Sequence, residues 1–103
     1  MVSLDGYELA QDVVWVGILP GQLCRGAELV NARLDQVRAE GRTFSPEVLT
    51  EKKGALLIDP HVEPPAMVAE LHQIAIVGDG LVHEIRDYGD RAAAEKAFEA
   101  MQW

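Results

Sequence analysis

Two short turns, each followed directly by an apolar run, constrain the fold of this chain most. Glu51-Lys52-Lys53-Gly54 precedes the run Ala55 to Asp59, and Gly78-Asp79-Gly80 precedes the run Leu81 to Tyr88. Glycine in such a turn supplies the positive φ that a tight connection between antiparallel strands needs. The sequence therefore predicts two β-hairpins. Their first strands are predicted at Phe44 to Thr50 and Met67 to Val77.

A strand and a helix are predicted before the hairpins. Val13 to Leu19 is a short β-branched and aromatic run, and Pro20-Gly21 closes it with a turn. Gly26 to Gly41 has the periodicity of an amphipathic helix, with Gly41 suited to its C-terminal cap. The predicted apolar stripe of this helix consists of Leu29, Val30, Leu34 and Val37.

A second helix is predicted at the end of the chain. Asp90 is suited to cap it, and Arg91 to Met101 is rich in alanine and glutamate. In the strand before it, Val82 and Ile85 are three residues apart, which indicates a β-bulge. Because helices are segregated from a mostly antiparallel sheet, the predicted class is α+β. The 103 residues form one domain on this prediction.

Composition and charge exclude several classes of partner. Nine basic and seventeen acidic residues give a formal net charge of −8, and the basic residues are scattered along the chain. A phosphate-binding face needs clustered lysine and arginine, so no nucleic-acid partner is expected. No run approaches the ~18 apolar residues of a membrane span, and the N-terminus lacks the features of a signal peptide. We therefore expect a cytoplasmic protein without a membrane partner.

Cysteine and histidine usage predicts neither a metal site nor a cofactor. Cys24 is the single cysteine, so an internal disulfide and a cysteine-based zinc site are excluded. The three histidines occur in neither His-x-x-x-His nor His-x-x-Glu-His spacing.

Two stretches resemble a known family. One is Asp12-Val-Val-Trp15 with Cys24-Arg-Gly-Ala-Glu28-Leu-Val after a small loop, and the other is Gly80-Leu-Val-His-Glu-Ile-Arg86-Asp-Tyr88-Gly-Asp90-Arg-Ala-Ala. Together they resemble the SnoaL-like branch of the nuclear-transport-factor-2-like superfamily, over about Leu9 to Met101. The resemblance implies a cone, in which a curved sheet wraps around helices and lines a pocket with its concave face. It also implies a homodimer formed through the outer face of the sheet.

The start of the chain departs from the family pattern. The family has one or two long helices before the first strand, whereas only 12 residues precede Val13 here. Leu4 to Ala10 has room for about one helical turn. The first helix is therefore expected to be missing or truncated, and the cone to be open or closed by a partner subunit. An exposed apolar lining favours association.

Members with epoxide-hydrolase activity suggest two acidic residues as candidates. Asp87, in Ile85-Arg86-Asp87-Tyr88, matches a proton-donating carboxylate on their last strand, and Asp59 lies near their second carboxylate. Their organising arginine corresponds to Leu57, and their water-holding side chains fall near Val16 and Ile18. Two carboxylates are retained, but the groups that position water for hydrolysis are not.

Isomerase and cyclase members suggest one further candidate. The general base of the isomerases falls on Gly17, and their acid falls on His72. SnoaL-type cyclases need one acid/base group above an apolar floor, for proton transfer at a carbon beside a carbonyl, and either His72 or Asp87 fits this role. The predicted catalytic residues are therefore Asp87, His72 and Asp59. The predicted ligand-binding residues are Trp15, Val16, Ile18, Leu57, Ile74 and Tyr88.

Two functions of different classes remain open at this point. The one that the sequence favours is a non-catalytic cone-fold module that binds an apolar or amphipathic small molecule in a sheet-lined pocket, because each of the better-known chemistries lacks a required residue. The alternative is a SnoaL-type cyclase or isomerase, or a small epoxide hydrolase. Each candidate also has a purely structural alternative. Asp87 could pair with an arginine or a cross-strand partner, and Asp59 could form a turn before Pro60. His72 could be a hydrogen-bonded histidine of the core. An enzyme requires that the three side chains converge on one cavity.

Overall fold

The structure is a computed structural model that describes residues 7–17, 23–43, 46–61 and 71–101. Within these ranges it contains six strands and two helices. In chain order they are β1 (Glu8–Val16), β2 (Leu23–Arg25), α1 (Ala27–Ala39), β3 (Glu47–Lys52), β4 (Ala55–Asp59), β5 (His72–Gly78), β6 (Leu81–Tyr88) and α2 (Arg91–Ala100).

The six strands form one curved sheet in the order β2-β1-β6-β5-β4-β3. Neighbouring strands are antiparallel, except that β1 and β6 are parallel. The first and the last strand of the chain are therefore neighbours inside the sheet. This arrangement confirms the α+β class and the mostly antiparallel sheet predicted from the sequence.

Helix α1 packs on one face of the sheet, which we call the α1 face. Cross-strand partners point to the same face, so Trp15 of β1 shares a face with Ile85 of β6. Both side chains pack in the same apolar cluster as Val30 and Leu34 of α1. This cluster is the larger of the two parts of the core.

Helix α2 packs on the opposite face, which we call the α2 face. Leu57 of β4 and Ile74 of β5 are cross-strand partners on this face. They form a second apolar cluster with Ala94 and Phe98 of α2. Because helices cover both faces, the central strands are apolar on both sides rather than alternating between apolar and polar residues.

Helix α1 confirms the predicted helix, with one exception in its apolar stripe. Val30, Leu34 and Val37 are buried as predicted. Leu29 is 59% exposed, contrary to the prediction. The reason is geometric, since Leu29 is turned by about 100° from Val30 around the helix axis and so points away from the sheet.

Both ends of α2 are fixed by side chains. Asp90 caps the start as predicted, with its carboxylate accepting a 2.7 Å hydrogen bond from the backbone N–H of Ala93. At the other end, Nζ of Lys52 donates to the carbonyl oxygens of Phe98 at 3.0 Å and Glu99 at 3.4 Å. The same Nζ lies 5.0 Å from the centre of the Phe98 ring. Lys52 thus connects the edge strand β3 to the helix.

The predicted bulge lies in the β5–β6 hairpin. Val77 pairs with Val82, whereas Ile76 pairs with Glu84, so His83 is the extra residue on β6. The turn itself is Asp79-Gly80, with φ of 54° and 77°. Both residues are in the left-handed region, which asparagine, aspartate and glycine adopt most easily.

The first strand begins earlier than predicted. Leu9 and Ala10 belong to β1 rather than to a helical turn over Leu4 to Ala10, because Leu9 pairs with Val82 of β6. The backbone N–H of Glu8 also donates a 3.0 Å hydrogen bond to the carbonyl oxygen of Gly80. Residues 4–6 of the predicted turn, and residues 18 and 19 of the predicted strand, lie outside the described residues.

Other boundaries differ by a few residues. β3 extends to Lys52, so the connection to β4 is Lys53-Gly54 alone, and β5 covers His72–Gly78 of the strand predicted from Met67. Residues 44–45 and 62–70 lie outside the described part of the chain. The three-residue strand β2 was not predicted, whereas β4 and β6 match their predicted bounds. In the part that the structure describes, neither helix has the length and apolar character needed to cross a bilayer.

Candidate functional site

The candidate site lies on the α1 face and is centred on Asp87. Gln73 of β5 and Asp87 of β6 are cross-strand partners, so their side chains point to the same face. Nε2 of Gln73 donates a 2.8 Å hydrogen bond to Oδ1 of Asp87. The next pair towards the turn on this face is Ala75 with Ile85. The carboxyl group therefore lies beside an apolar surface.

Burial raises the pKa of Asp87 above its ordinary value of 3.8. Removing a carboxylate from water disfavours its charged form. The indole N–H of Trp15, the amide of Gln73 and the positive charge of Arg33 each act in the opposite direction and lower the pKa. Burial outweighs them. A carboxyl group with a raised pKa on an apolar face has the properties of an acid/base group or of a polar anchor for a ligand.

Trp15 brings a buried indole N–H to this site. Its Nε1 is buried and makes no hydrogen bond of ordinary geometry with the residues described. The influence of this N–H on the pKa of Asp87 nevertheless places it next to the carboxyl group. The Trp15 side chain is partly buried and packs against the core of the α1 face.

The apolar floor of the α1 face is part of the hydrophobic core and lies beneath α1. It is formed by buried side chains of the sheet together with residues of α1. The buried members of the floor and of the helix packed on it are Ala10, Val13, Val30, Leu34, Leu56, Ile58, Ala75 and Val82.

His72 and Asp59 lie on the other side of the sheet. His72 pairs with Tyr88 across β5 and β6, one residue from the Gln73–Asp87 pair, and therefore points to the α2 face. Nε2 of His72 is 3.9 Å from Oδ2 of Asp59, which is also on this face. The structure thus brings His72 and Asp59 together and separates both from Asp87 by the thickness of the sheet.

Asp59 also has a local structural role. Its Oδ1 accepts a 3.0 Å hydrogen bond from the backbone N–H of His61, which has a φ of 46°. The His61 ring is 3.7 Å from Oδ2 of Asp59 and 3.3 Å from Oε1 of Glu47. These contacts agree with the turn-forming alternative for Asp59. Among the described residues, no group of three or more histidine, cysteine, aspartate or glutamate side chains is arranged to hold a metal ion.

The predicted ligand-binding residues are also divided between the faces. Trp15 lies on the α1 face beside Asp87. Leu57 and Ile74 lie beneath α2, and Tyr88 packs against the same cluster. Val16 pairs with Arg86 and points away from Trp15, towards the α2 face. Ile18 lies outside the described residues.

Asp87 does not pair with either nearby arginine. Arg86 forms an ion pair with Glu84, and Arg91 forms one with Glu95 at 2.7 Å. The cross-strand partner of Asp87 is Gln73. The sequence pattern did not identify Gln73 or Arg33, because their proximity to Asp87 depends on the β5–β6 register and on the packing of α1, neither of which has a local sequence signal.

No protein-family model matches this chain, and no curated protein matches it. Several solved structures are similar to this chain in fold. A candidate SnoaL-like polyketide cyclase from Mesorhizobium loti is 19% identical with a TM-score of 0.59, covering 81% of this chain and 79% of that one. An NTF2-like protein of unknown function from Burkholderia pseudomallei is 15% identical with a TM-score of 0.60, covering 92% and 80%.

A third similar structure is TerC, which was co-crystallised with polyporic acid. It is 16% identical with a TM-score of 0.56, and the match covers 89% of this chain and 81% of TerC. At these identities the comparisons show the fold. The fold is the one that SnoaL-like and NTF2-like proteins share, as the sequence resemblance implied.

Proposed function

We propose that the α1 face binds a small, largely apolar molecule and that Asp87 is the polar anchor of this site. The observation that carries the proposal is the position of Asp87, a carboxyl group with a raised pKa at the edge of an apolar floor. Ligand sites of this kind combine an apolar lining with a few oriented polar groups. TerC, which shares the fold, was crystallised with a small organic molecule, polyporic acid.

The binding site is tested by locating where small apolar probes bind. Naphthalene and 2-naphthol are titrated into ¹⁵N-labelled protein, and amide shifts are followed on both faces of the sheet. We expect the amide signals of Trp15, Ala75 and Ile85 on the α1 face to shift. Shifts should not be restricted to the amide signals of Leu57 and Ile74 on the α2 face. Perturbations centred beneath α2, or none with either probe, would overturn the proposal.

A second candidate function is proton transfer by Asp87 acting alone. It is favoured by the raised pKa of Asp87, because a base is effective when its pKa approaches the working pH. In this reaction the carboxylate takes a proton from a carbon beside a carbonyl, which leaves an enolate, and returns a proton to that carbon. His72 and Asp59 have no part in it, since they lie on the α2 face.

Proton transfer is tested by isotope exchange. 2-Tetralone is incubated with the protein in D₂O, and loss of its α-proton signals is followed by NMR. Catalysis predicts exchange that is faster than in buffer and that Asp87→Asn abolishes. Binding of 2-tetralone without faster exchange would assign the chain to the non-catalytic class.

We also propose that the chain forms a homodimer in the cytoplasm, as expected from the sequence. Leu23 and Leu29 are large apolar residues that are 46% and 59% exposed, and exposed apolar side chains favour association when they are grouped. Light scattering at micromolar concentration should give about twice the chain mass of 11.3 kDa. A mass equal to that of one chain would contradict the dimer.

A further inference from the structure

Helix α1 covers the apolar floor through a small part of its surface. Three of its 13 residues are buried, namely Val30, Leu34 and Val37, and the first two pack in the same apolar cluster as the floor. A ligand in contact with the floor must replace contacts that α1 now makes. The proposed binding function of the α1 face therefore requires that α1 can move away from the sheet.

The two helices are attached to the sheet in different ways. Helix α2 is linked to β3 by the side chain of Lys52. Helix α1 begins at Gly26, which has no side chain for a cap and whose backbone N–H donates a 2.7 Å hydrogen bond to the carbonyl oxygen of Val13. Glycines with positive φ lie at both ends of α1, 92° at Gly26 and 88° at Gly41. Hinges are residues at the ends of elements that absorb changes in backbone angles, and glycine does so with little strain.

Asp87 lies where it responds to the position of α1. Its side chain is half-buried between Trp15 of β1 and Gln73 of β5, the strands on either side of β6. The positive charge of Arg33, which belongs to α1, also acts on the carboxyl group. Asp87 is thus held by the sheet and attracted by the helix.

Few other titratable side chains pack on this face in the part of the chain that the structure describes. The apolar cluster includes Tyr7, at the start of β1, and Cys24 of β2. The residues that β3, β4 and β5 contribute to the cluster are apolar, as are those of β6. Arg33 is the charged group that acts on Asp87 from the helix.

Ionisation of Asp87 weakens the contact between α1 and the sheet. Burial raises the pKa of Asp87 above 3.8, so the closed chain holds this proton more tightly than a chain in which Asp87 faces water. Closure therefore becomes less favourable as pH rises from 3.8 to the raised pKa, and it does not recover above that pKa. The attraction between Arg33 and the carboxylate offsets part of this effect while α1 is closed.

We propose that α1 is a lid over the binding site, hinged at Gly26, and that loss of the Asp87 proton favours its open state. This inference rests on the proposed binding function of the α1 face and adds the step by which a ligand reaches the floor. A ligand that binds the open state alone binds more tightly when that state is more populated. Apolar ligands should therefore bind more tightly at neutral pH than at acidic pH.

Hydrogen exchange tests the lid in the absence of a ligand. Protection factors are measured at pH 3.5 and pH 7 for the amides of Val30 and Leu34 in α1 and of Ile74 in β5. We expect the α1 amides to be at least about tenfold less protected than Ile74, because they exchange through a partial opening. Their protection should fall about tenfold more from pH 3.5 to pH 7. Equal protection of α1 and Ile74 would show that α1 leaves the sheet only in global unfolding, and would overturn the lid.

Three variants test the role of Asp87. Asp87→Asn should abolish the fall in α1 protection with rising pH, because the amide side chain does not ionise. Arg33→Gln should enlarge the fall, since it removes the charge that attracts the carboxylate to α1. Asp35→Asn, on the exposed side of α1, should behave as wild type. A fall that persists in Asp87→Asn would overturn the role of Asp87, and Arg33→Gln, at an exposed position, keeps the test decisive if Asp87→Asn does not fold.

Naphthalene separates the lid from the binding function, because it has no group that hydrogen-bonds to Asp87. Wild type should bind naphthalene about tenfold more tightly at pH 7 than at pH 3.5, whereas Asp87→Asn should bind it equally at both. Naphthalene binding that is independent of pH in wild type would overturn the lid as the route to the floor. Binding at neither pH, together with the expected exchange result, would overturn the binding function and leave the lid standing.

Discussion

The amide of Gln73 donates a hydrogen bond of 2.8 Å to Oδ1 of Asp87 across the β5–β6 pair. This contact holds the candidate acid/base group Asp87 in a single orientation. It stabilises the ionised form of Asp87 but does not compensate fully for burial, so the pKa stays above its ordinary value.

Replacing Gln73 with leucine should raise the pKa of Asp87 further. The substitution removes a donor that favours the carboxylate and adds apolar surface beside it. The pKa is measured by following the ¹³C shift of the Asp87 carboxyl carbon through a pH titration. Gln73→Asn, whose shorter side chain weakens the same contact, should give a smaller rise. An unchanged or lower pKa in Gln73→Leu would show that Gln73 does not control the titration.

The stability of Asp87→Asn relative to wild type should increase as pH rises. The raised pKa means that the folded chain binds more protons than the unfolded chain between pH 3.8, the ordinary value, and the folded pKa. Stability therefore falls as pH rises through this window and does not recover above it. The asparagine side chain of the variant carries no charge, so the variant avoids this loss.

The measurement for Asp87→Asn is the free energy of unfolding in urea, compared with wild type from pH 3 to pH 8. The difference should grow in favour of the variant with rising pH and then become constant. Asp35→Asn is a suitable control, because Asp35 is exposed on α1 and pairs with Arg38 at 3.2 Å. A difference that is independent of pH would contradict the assigned pKa direction.

Much of the fold could be predicted from the sequence because its signals are local. Asp90, the Asp79-Gly80 turn and the apolar runs of β4 and β6 define elements through their own residues. β2 has three residues and its pairing with β1 is the only reason that it is a strand, so nothing local predicts it.

The candidate site could be predicted only in part, since it depends on which face each side chain points to. Apolar side chains occupy both faces of the central strands, so alternation does not distinguish the α1 face from the α2 face. The extra residue His83 also changes the register between Val82 and Glu84. Asp87 was identified by its motif, whereas its separation from His72 needed the pairing of β5 with β6.

This separation predicts different effects of two substitutions on probe binding. His72→Gln should leave the affinity for 2-naphthol within about twofold of wild type, whereas Asp87→Leu should lower it about tenfold. The reason is that His72 pairs with Tyr88 on the α2 face and Asp87 pairs with Gln73 on the α1 face. Isothermal titration calorimetry measures both. Equal losses in the two variants would show that both side chains act on one site, contrary to the observed register.

Lys52→Met should destabilise the chain by about 1 kcal/mol, because it removes a charged donor from the C-terminal end of α2. In wild type, Nζ of Lys52 donates to the carbonyl oxygens of Phe98 and Glu99 and lies over the Phe98 ring. Helix α2 has no basic residue in its own last turn, so Lys52 supplies the only such charge that the described residues show there. Urea unfolding monitored by circular dichroism measures the change.

Lys53→Met is the matched control for Lys52→Met. Lys53 lies in the exposed turn and has no such contact in the described chain, so its substitution should change stability by less than about 0.5 kcal/mol. Equal effects of the two substitutions would mean that the contact between β3 and α2 contributes nothing beyond general charge.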